Sequence, residues 1–326
     1  TAELNGVEDY DDDGNGYVDD IRGWDFINLD NAPLDDNMHG THVAGIVGAV
    51  GNNGIGIAGA AWNVKLMHIK VFQSTGAGSL VTIAEGVEYA YMNGATILNM
   101  SFGSYAESAT LKLALENAYS TSILVGAAGN NGICLGPGDA CFPLFPGAYS
   151  FVLGVQDRPL PLQGYSNFDE DGPIFTGYGI YSLYNYELAA PGTGIMSTIP
   201  NGGYAPLTGT SMATPLVAGG LALYNQLKPD DSNELIFGNL INTLNSPYAP
   251  PLYDFVNILA AVEIEPTPQL AVVSSIQRDN INSQNGNGFL EPNETIEILP
   301  LIKNYWGPTD DVRVGIEFAE FEDTSK

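Results

Sequence analysis

Between Lys65 and Val155, short, largely apolar runs alternate with longer stretches of helical period. The runs are Lys65–Phe72 (KLMHIKVF), Thr96–Met100 (TILNM), Ile123–Ala127 (ILVGA) and Phe151–Val155 (FVLGV). A strand that is apolar throughout has both faces buried, as in a parallel sheet covered by helices on each side. The stretches Leu80–Asn93 and Ala109–Tyr119 predict two of those helices. Strand and helix in turn predict a three-layer α/β/α domain around a mostly parallel sheet. His68, inside the first run, reads as a core histidine.

A further helix is predicted after Thr210, through SMATPLVAGGLALYNQL, and another near Ser232–Asn242. The first forty residues read as acidic loop, with no strand before His39. Residues 263–269, EIEPTPQ, carry two prolines and read as a stiff linker. Beyond them LAVVSSIQ, TIEILPLIKN and DVRVGIEFAEF have the pattern of β-strands. The expected division is therefore a domain at 1–262, a linker at 263–269, and part of an immunoglobulin-like β-sandwich at 270–326. That last piece is short against the ~100 residues of such a sandwich.

The chain has 10 Lys and Arg against 38 Asp and Glu, a net charge of −28. Such a surface repels nucleic acid and anionic lipid, which excludes both as partners. The excess carboxylates have two open uses, divalent-cation binding and simple solvation. No apolar run approaches the ~20 residues of a membrane span. The two cysteines, Cys134 and Cys141, flank a loop with Gly136, Pro137 and Gly138 that can fold back. A disulfide, which suits an oxidising compartment, and a pair of free thiols are the two readings.

Three segments carry chemistry: Asn37-Met38-His39-Gly40-Thr41-His42-Val43-Ala44-Gly45, Ala127-Ala128-Gly129-Asn130, and Gly209-Thr210-Ser211-Met212-Ala213-Thr214-Pro215. A serine hydroxyl is a weak nucleophile until an imidazole takes its proton. A helix N-terminus beside it, with free N–H groups, favours the oxyanion that develops on attack. Ser211 precedes a helical run, and the Asn130 amide can supply a second donor. Each segment alone is weak evidence; the three together, in this order, are specific.

With these segments the sequence resembles the subtilisin-like serine proteases, the subtilases, over nearly all of residues 1–262. The resemblance implies that His39 is the general base, Ser211 the nucleophile and Asn130 the oxyanion donor. It implies that Ser101, Phe102 and Gly103, with Ala128 and Gly129, wall the primary specificity pocket and pair with an extended substrate. His42 is then structural. The implied activity is extracellular hydrolysis of protein or peptide substrates through an acyl-enzyme. A catalytically inactive binding module and an acyl-transferring enzyme that joins peptides share the same motifs.

Three features depart from the family. Met38 stands where Gly usually precedes the catalytic His, and Leu216 where a His commonly follows the Pro. No Asp-(Thr/Ser)-Gly occurs, so the acid that completes the triad in the order Asp, His, Ser has no match. Asp25, Asp35 and Asp36 are candidates by composition alone. The expectation is that this Asp lies upstream of Thr1, supplied in continuity or as a cleaved N-terminal segment that stays bound.

Asp11, Asp13, Asn15 and the Tyr17 carbonyl match the early ligands of an EF-hand-type Ca²⁺ loop; Arg22 stands where the usual Glu would be, and Asp20 is the substitute for it. The rival reading, an acidic surface loop, leaves so many adjacent carboxylates repelling one another that calcium is the expectation. The resemblance also implies a second Ca²⁺ loop, with the Asn53 side chain and the carbonyls of Gly51, Ile55 and Ile57.

Overall fold

The computed structural model describes residues 3–132, 134–135, 143–149, 151–157, 164–169, 186–242, 256–263, 270–279 and 296–304. The strands are β1 (Gly23–Asp25), β2 (His68–Lys70), β3 (Ile97–Met100), β4 (Ile123–Ala127), β5 (Cys134–Leu135), β6 (Leu153–Asp157), β7 (Phe168–Asp169), β8 (Leu188–Ala190), β9 (Ile195–Ile199), β10 (Gly203–Leu207), β11 (Leu270–Asp279) and β12 (Ile296–Asn304). The helices are α1 (His39–Gly48), α2 (Leu80–Met92), α3 (Ala109–Tyr119), α4 (Thr210–Leu227), α5 (Asn233–Asn242) and α6 (Ile258–Glu263).

The central sheet is parallel in the order β3-β4-β6-β8. Alternate residues of β4 enter opposite cores: Leu124 joins α2 and α3, while Ile123 and Val125 join α4, α5 and α6. That alternation, with both faces dry, is the three-layer α/β/α arrangement the apolar runs predict. Serine caps start the covering helices, Ser79 Oγ accepting from Val81 N and Ser108 Oγ from Leu111 N.

Two strand expectations change. The run 65–72 narrows to β2, and His68 is exposed rather than buried in a core. A strand does precede His39: β1 pairs in parallel with β2, Gly23 opposite His68 and Asp25 opposite Lys70. Gly-Trp-Asp has no apolar run to announce a strand; only its partner defines it. Gly23 is required there, since its φ is +117° and a Cβ would lie 2.0 Å from the His68 carbonyl oxygen. Among the described residues, β2 and β3 each keep one edge without a strand partner.

β9 and β10 form an antiparallel hairpin against α1. Further on, β11 and β12 pair antiparallel, with an irregularity between Val272 and Ser274. The predicted strand DVRVGIEFAEF, most of the linker, and Cys141 lie outside the described residues.

Candidate active site

Ser211 is the second residue of α4, whose first N–H groups have no carbonyl partner within the helix. Pro215 lies four residues on and has no N–H, so the Ser211 carbonyl loses its helical donor. Ser101 replaces it: its Oγ donates to Ser211 O at 3.0 Å. Asn99 Nδ2, a donor only, in turn donates to Ser101 Oγ at 3.0 Å, which fixes the direction of that hydroxyl. The Ser211 hydroxyl itself donates to Ser101 O at 3.2 Å.

Asn130 faces the same turn. Its Oδ1 accepts from Thr210 N at 2.9 Å and from Thr210 Oγ1 at 3.2 Å. A backbone N–H can only donate, so Oδ1 must face it and Nδ2 must face the other way. A Cβ on Gly209 would sit 3.2 Å from Nδ2, which places the amide against the residue two before Ser211. Gly209 is held in turn by its N–H on Gly192 O at 3.0 Å, and Gly192 N donates to the buried Asp157 carboxylate at 2.7 Å. Burial pushes the Asp157 carboxyl above its ordinary value.

The expected pocket walls also come together. Ser101, Phe102 and Gly103 leave the C-terminal end of β3, and Ala128 and Gly129 leave that of the adjacent β4. A crevice beyond the carboxyl ends of neighbouring parallel strands is where open α/β sheets bind ligands. Leu144 reaches both walls, since a Cβ on Gly103 or Gly129 would lie 2.5 or 2.9 Å from its Cδ2. Phe102 packs on Phe72 with ring centroids 5.2 Å apart.

His39 opens α1, which packs against α4. Its ring forms no hydrogen bond among the described residues. Burial pushes the imidazole below its ordinary value, against the pull of the nearby Asp35 carboxylate. None of the three candidate acids serves it. Asp35 caps α1, accepting from the N–H groups of Asn37, Met38 and Thr41 and from the Thr41 hydroxyl. Asp25 accepts from Ile27 N, Asn28 N, Asn28 Nδ2 and Lys70 Nζ, and Asp36 pairs with the same Lys70 at 3.0 Å. His42, one turn on, is fully buried with Nε2 3.0 Å from Ala205 O, a bond that ties α1 to β10.

In the acidic loop, ligand atoms of Glu3, Asp11 and Asp13 lie within 4.8 Å of one another. Glu3 had no sequence signal. It is 4% exposed, and its carboxylate gathers the N–H groups of Asp12, Asp13 and Asp19. Asn15 Oδ1 accepts from Tyr17 N, and Asp20 Oδ2 accepts from Tyr89 OH and Asn15 Nδ2. The second loop is exposed from Asn52 to Gly56, where Asn53 Oδ1 accepts from Ile55 N at 2.9 Å. The structure therefore converges Asp11 and Asp13 with Glu3, and Asp11, Asp13, Asn15, Asp20 and Asn53 all also make bonds within their own loops or with α2.

The subtilase family model matches residues 4–288. An alkaline protease of Alkalihalobacillus alcalophilus is 39% identical over 72% of this chain and 57% of its own length. Subtilisin Savinase of Lederbergia lenta is 38% identical over 72% of this chain and 80% of its own. Subtilisin-like protease 1 of Plasmodium falciparum is 32% identical over 87% of this chain and 42% of its own. The chain thus spans about half the length of several relatives it matches, 57% and 50% of two bacterial ones. The crystal structure of a cold-adapted subtilisin-like serine proteinase is similar, with TM-score 0.56 and 31% identity over 69% of this chain and 74% of that one. The family model's match spans the segments carrying His39, Asn130 and Ser211, and the chain belongs to the subtilase family.

Proposed function

We propose that the protein is a secreted serine endopeptidase, and that the residues just described do its chemistry. Ser211 Oγ attacks the peptide carbonyl while His39 takes its proton. The oxyanion is held by Asn130 Nδ2 and by the N–H groups that open α4. His39 then gives the proton to the leaving amine, and water releases the acyl group from Ser211 by the reverse path. Extended protein or peptide substrates lie along Ser101–Gly103 and Ala128–Gly129. The observation that carries this reading is the Asn130 amide, whose Oδ1 is locked by Thr210, the residue before Ser211, so that its Nδ2 stays available as a donor.

His39 still needs a carboxylate to fix its tautomer and stabilise its imidazolium. We assign that acid to a parallel strand lying between β2 and β3. The two unpaired edges support this, as does Asn99 on β3, whose buried Oδ1 has no donor among the described residues. Ca²⁺ suits the acidic loop, where Glu3, Asp11 and Asp13 offer hard oxygen ligands and no basic side chain pairs with them among the described residues. The loop 51–57 is the second candidate. A Cys134–Cys141 bridge fits export and would appear as linked peptides in unreduced mass spectrometry.

The test is direct. The complete protein should cleave denatured protein and be labelled at Ser211 by a fluorophosphonate, and Ser211→Ala should abolish both. A folded protein that neither reacts at Ser211 nor cleaves unfolded substrates would end the protease reading. Calcium at ~100 times its dissociation constant adds about 2.7 kcal/mol if only the native state binds it, so chelator should lower the melting temperature. An unchanged melting curve in metal-free protein would remove the calcium assignment.

A further inference from the structure

The segment that carries Asn130 is itself held by one fully buried side chain, Asn167. Its backbone N–H donates to Gly129 O at 2.8 Å, and its Nδ2 donates to Ala128 O at 2.9 Å. Its Oδ1 accepts from Asn131 N at 3.0 Å. Three bonds therefore land on residues 128, 129 and 131, on both sides of Asn130 and not on Asn130 itself. Tyr105 closes a ring around them: Asn167 Nδ2 donates to Tyr105 OH at 3.1 Å, and Tyr105 OH donates to Asn131 Oδ1 at 3.0 Å. Gly129 makes room for this approach. Its φ is +104°, and a Cβ there would lie 2.5 Å from Asn167 Nδ2.

We infer that Asn167 is a positioning residue for the oxyanion site, acting through Asn130; the inference rests on the protease reading above. Thr210 sets the roll of the Asn130 amide, and Asn167 sets where the backbone beneath it stands. The two controls are separate, because Thr210 bonds the Asn130 side chain, whereas the Asn167 bonds to residues 128, 129 and 131 land on the backbone at either side of Asn130. Oxyanion donors act through pre-set geometry, and a shift of about 1 Å can cost on the order of 10²-fold in rate. The bracket also has a fixed polarity. Ala128 offers a carbonyl and Asn131 an N–H, so the side chain must present a donor to one and an acceptor to the other. An asparagine meets both, whereas an ionised carboxylate of the same shape sets an oxygen against the Ala128 carbonyl.

That polarity supplies the experiment. In the complete protein, Asn167→Asp should lower kcat about 10- to 100-fold at neutral pH. At acid pH the loss should shrink, because a protonated Asp can again donate to Ala128 O. On the Asn130→Ala background the same substitution should change kcat less than about twofold, since the donor it positions is gone. Asn167→Ser, which lacks the second polar atom, should show the same dependence on background and decides the matter if the Asp variant does not fold. An equal loss in both backgrounds, with no recovery in acid, would reduce Asn167 to a structural residue and overturn the inference. Wild-type protein that is folded but unreactive at Ser211 would overturn the protease reading first, and this role with it.

Discussion

On the Ser211 side of the cleft, the polar groups of the turn that carries Ser211 find partners inside the chain. The Ser211 carbonyl takes the Ser101 hydroxyl, Thr210 N takes Asn130 Oδ1, and Gly209 is pinned through Gly192 to Asp157. On the His39 side, α1 starts at Met38 in the left-handed region with no side-chain cap of its own, and the imidazole is unpartnered among the described residues. Lys70 binds Asp25 and Asp36, and Asp35 is spent on the helix start. The proposed nucleophile and oxyanion donor are pre-set by local bonds, whereas the ring of the proposed base has no orienting hydrogen bond among the described residues.

The largest expected effect tests the finished side. Asn130→Ala should lower kcat by ~10²–10³, the order known for removing one such donor from a subtilisin. KM should change little, because the bond exists only when the oxyanion does. Steady-state kinetics on a peptide substrate read this, and a rise in KM at constant kcat would mean that Asn130 binds ground-state substrate instead.

The same contrast decides what the sequence could reveal. Ser211 and Asn130 stand at junctions that local pattern marks, an apolar strand running into Ala128-Gly129 and a glycine turn running into a helical stretch. Of the central sheet, β3, β4 and β6 were legible because their runs are largely apolar, whereas the three residues of β8 were too few to stand out. β1 was not, since Gly-Trp-Asp becomes a strand only against residues some 45 positions later, the separation of Asp25 and Lys70. Glu3 and Asn167 stayed hidden for the same reason. Their partners are backbone N–H and carbonyl groups, which every residue has and no motif advertises.

The next effect tests the unfinished side. Lys70 is the one cation that Asp25 and Asp36 share among the described residues. Lys70→Met should cost about 2–3 kcal/mol, somewhat below the usual loss for breaking a buried pair, because Asp25 keeps three hydrogen bonds. Burial alone would raise the Asp25 carboxyl, but the Asn28 and Ile27 N–H groups and Lys70 hold it below its ordinary value. Its stabilising contribution is therefore present above the ordinary carboxylate range and lost as pH falls through the depressed value. Denaturant midpoints across pH should show Lys70→Met converging on wild type in acid. A constant gap at every pH would mean that Lys70 acts through packing alone.

The smallest effect concerns Met38, at φ +83° and ψ −23°, immediately before the expected base. A residue with a Cβ costs roughly 1–2 kcal/mol in the left-handed region, a cost glycine does not bear. Glycine returns part of that through the greater freedom of the unfolded chain, about 0.4–1 kcal/mol. The Met38 side chain is 39% exposed, so truncation also loses some burial. The balance favours Met38→Gly by up to about 1 kcal/mol, or a rise of a few degrees in melting temperature for a domain of this size. Asp35 should keep the helix start intact, because it caps the N–H groups of residues 37, 38 and 41, and a glycine at 38 retains its N–H. Calorimetry on wild type and variant measures the difference. A fall in melting temperature would mean that the methionine side chain contributes more packing beside His39 than its backbone costs, and the loosely held half of the cleft would then be firmer than its dihedral angles suggest.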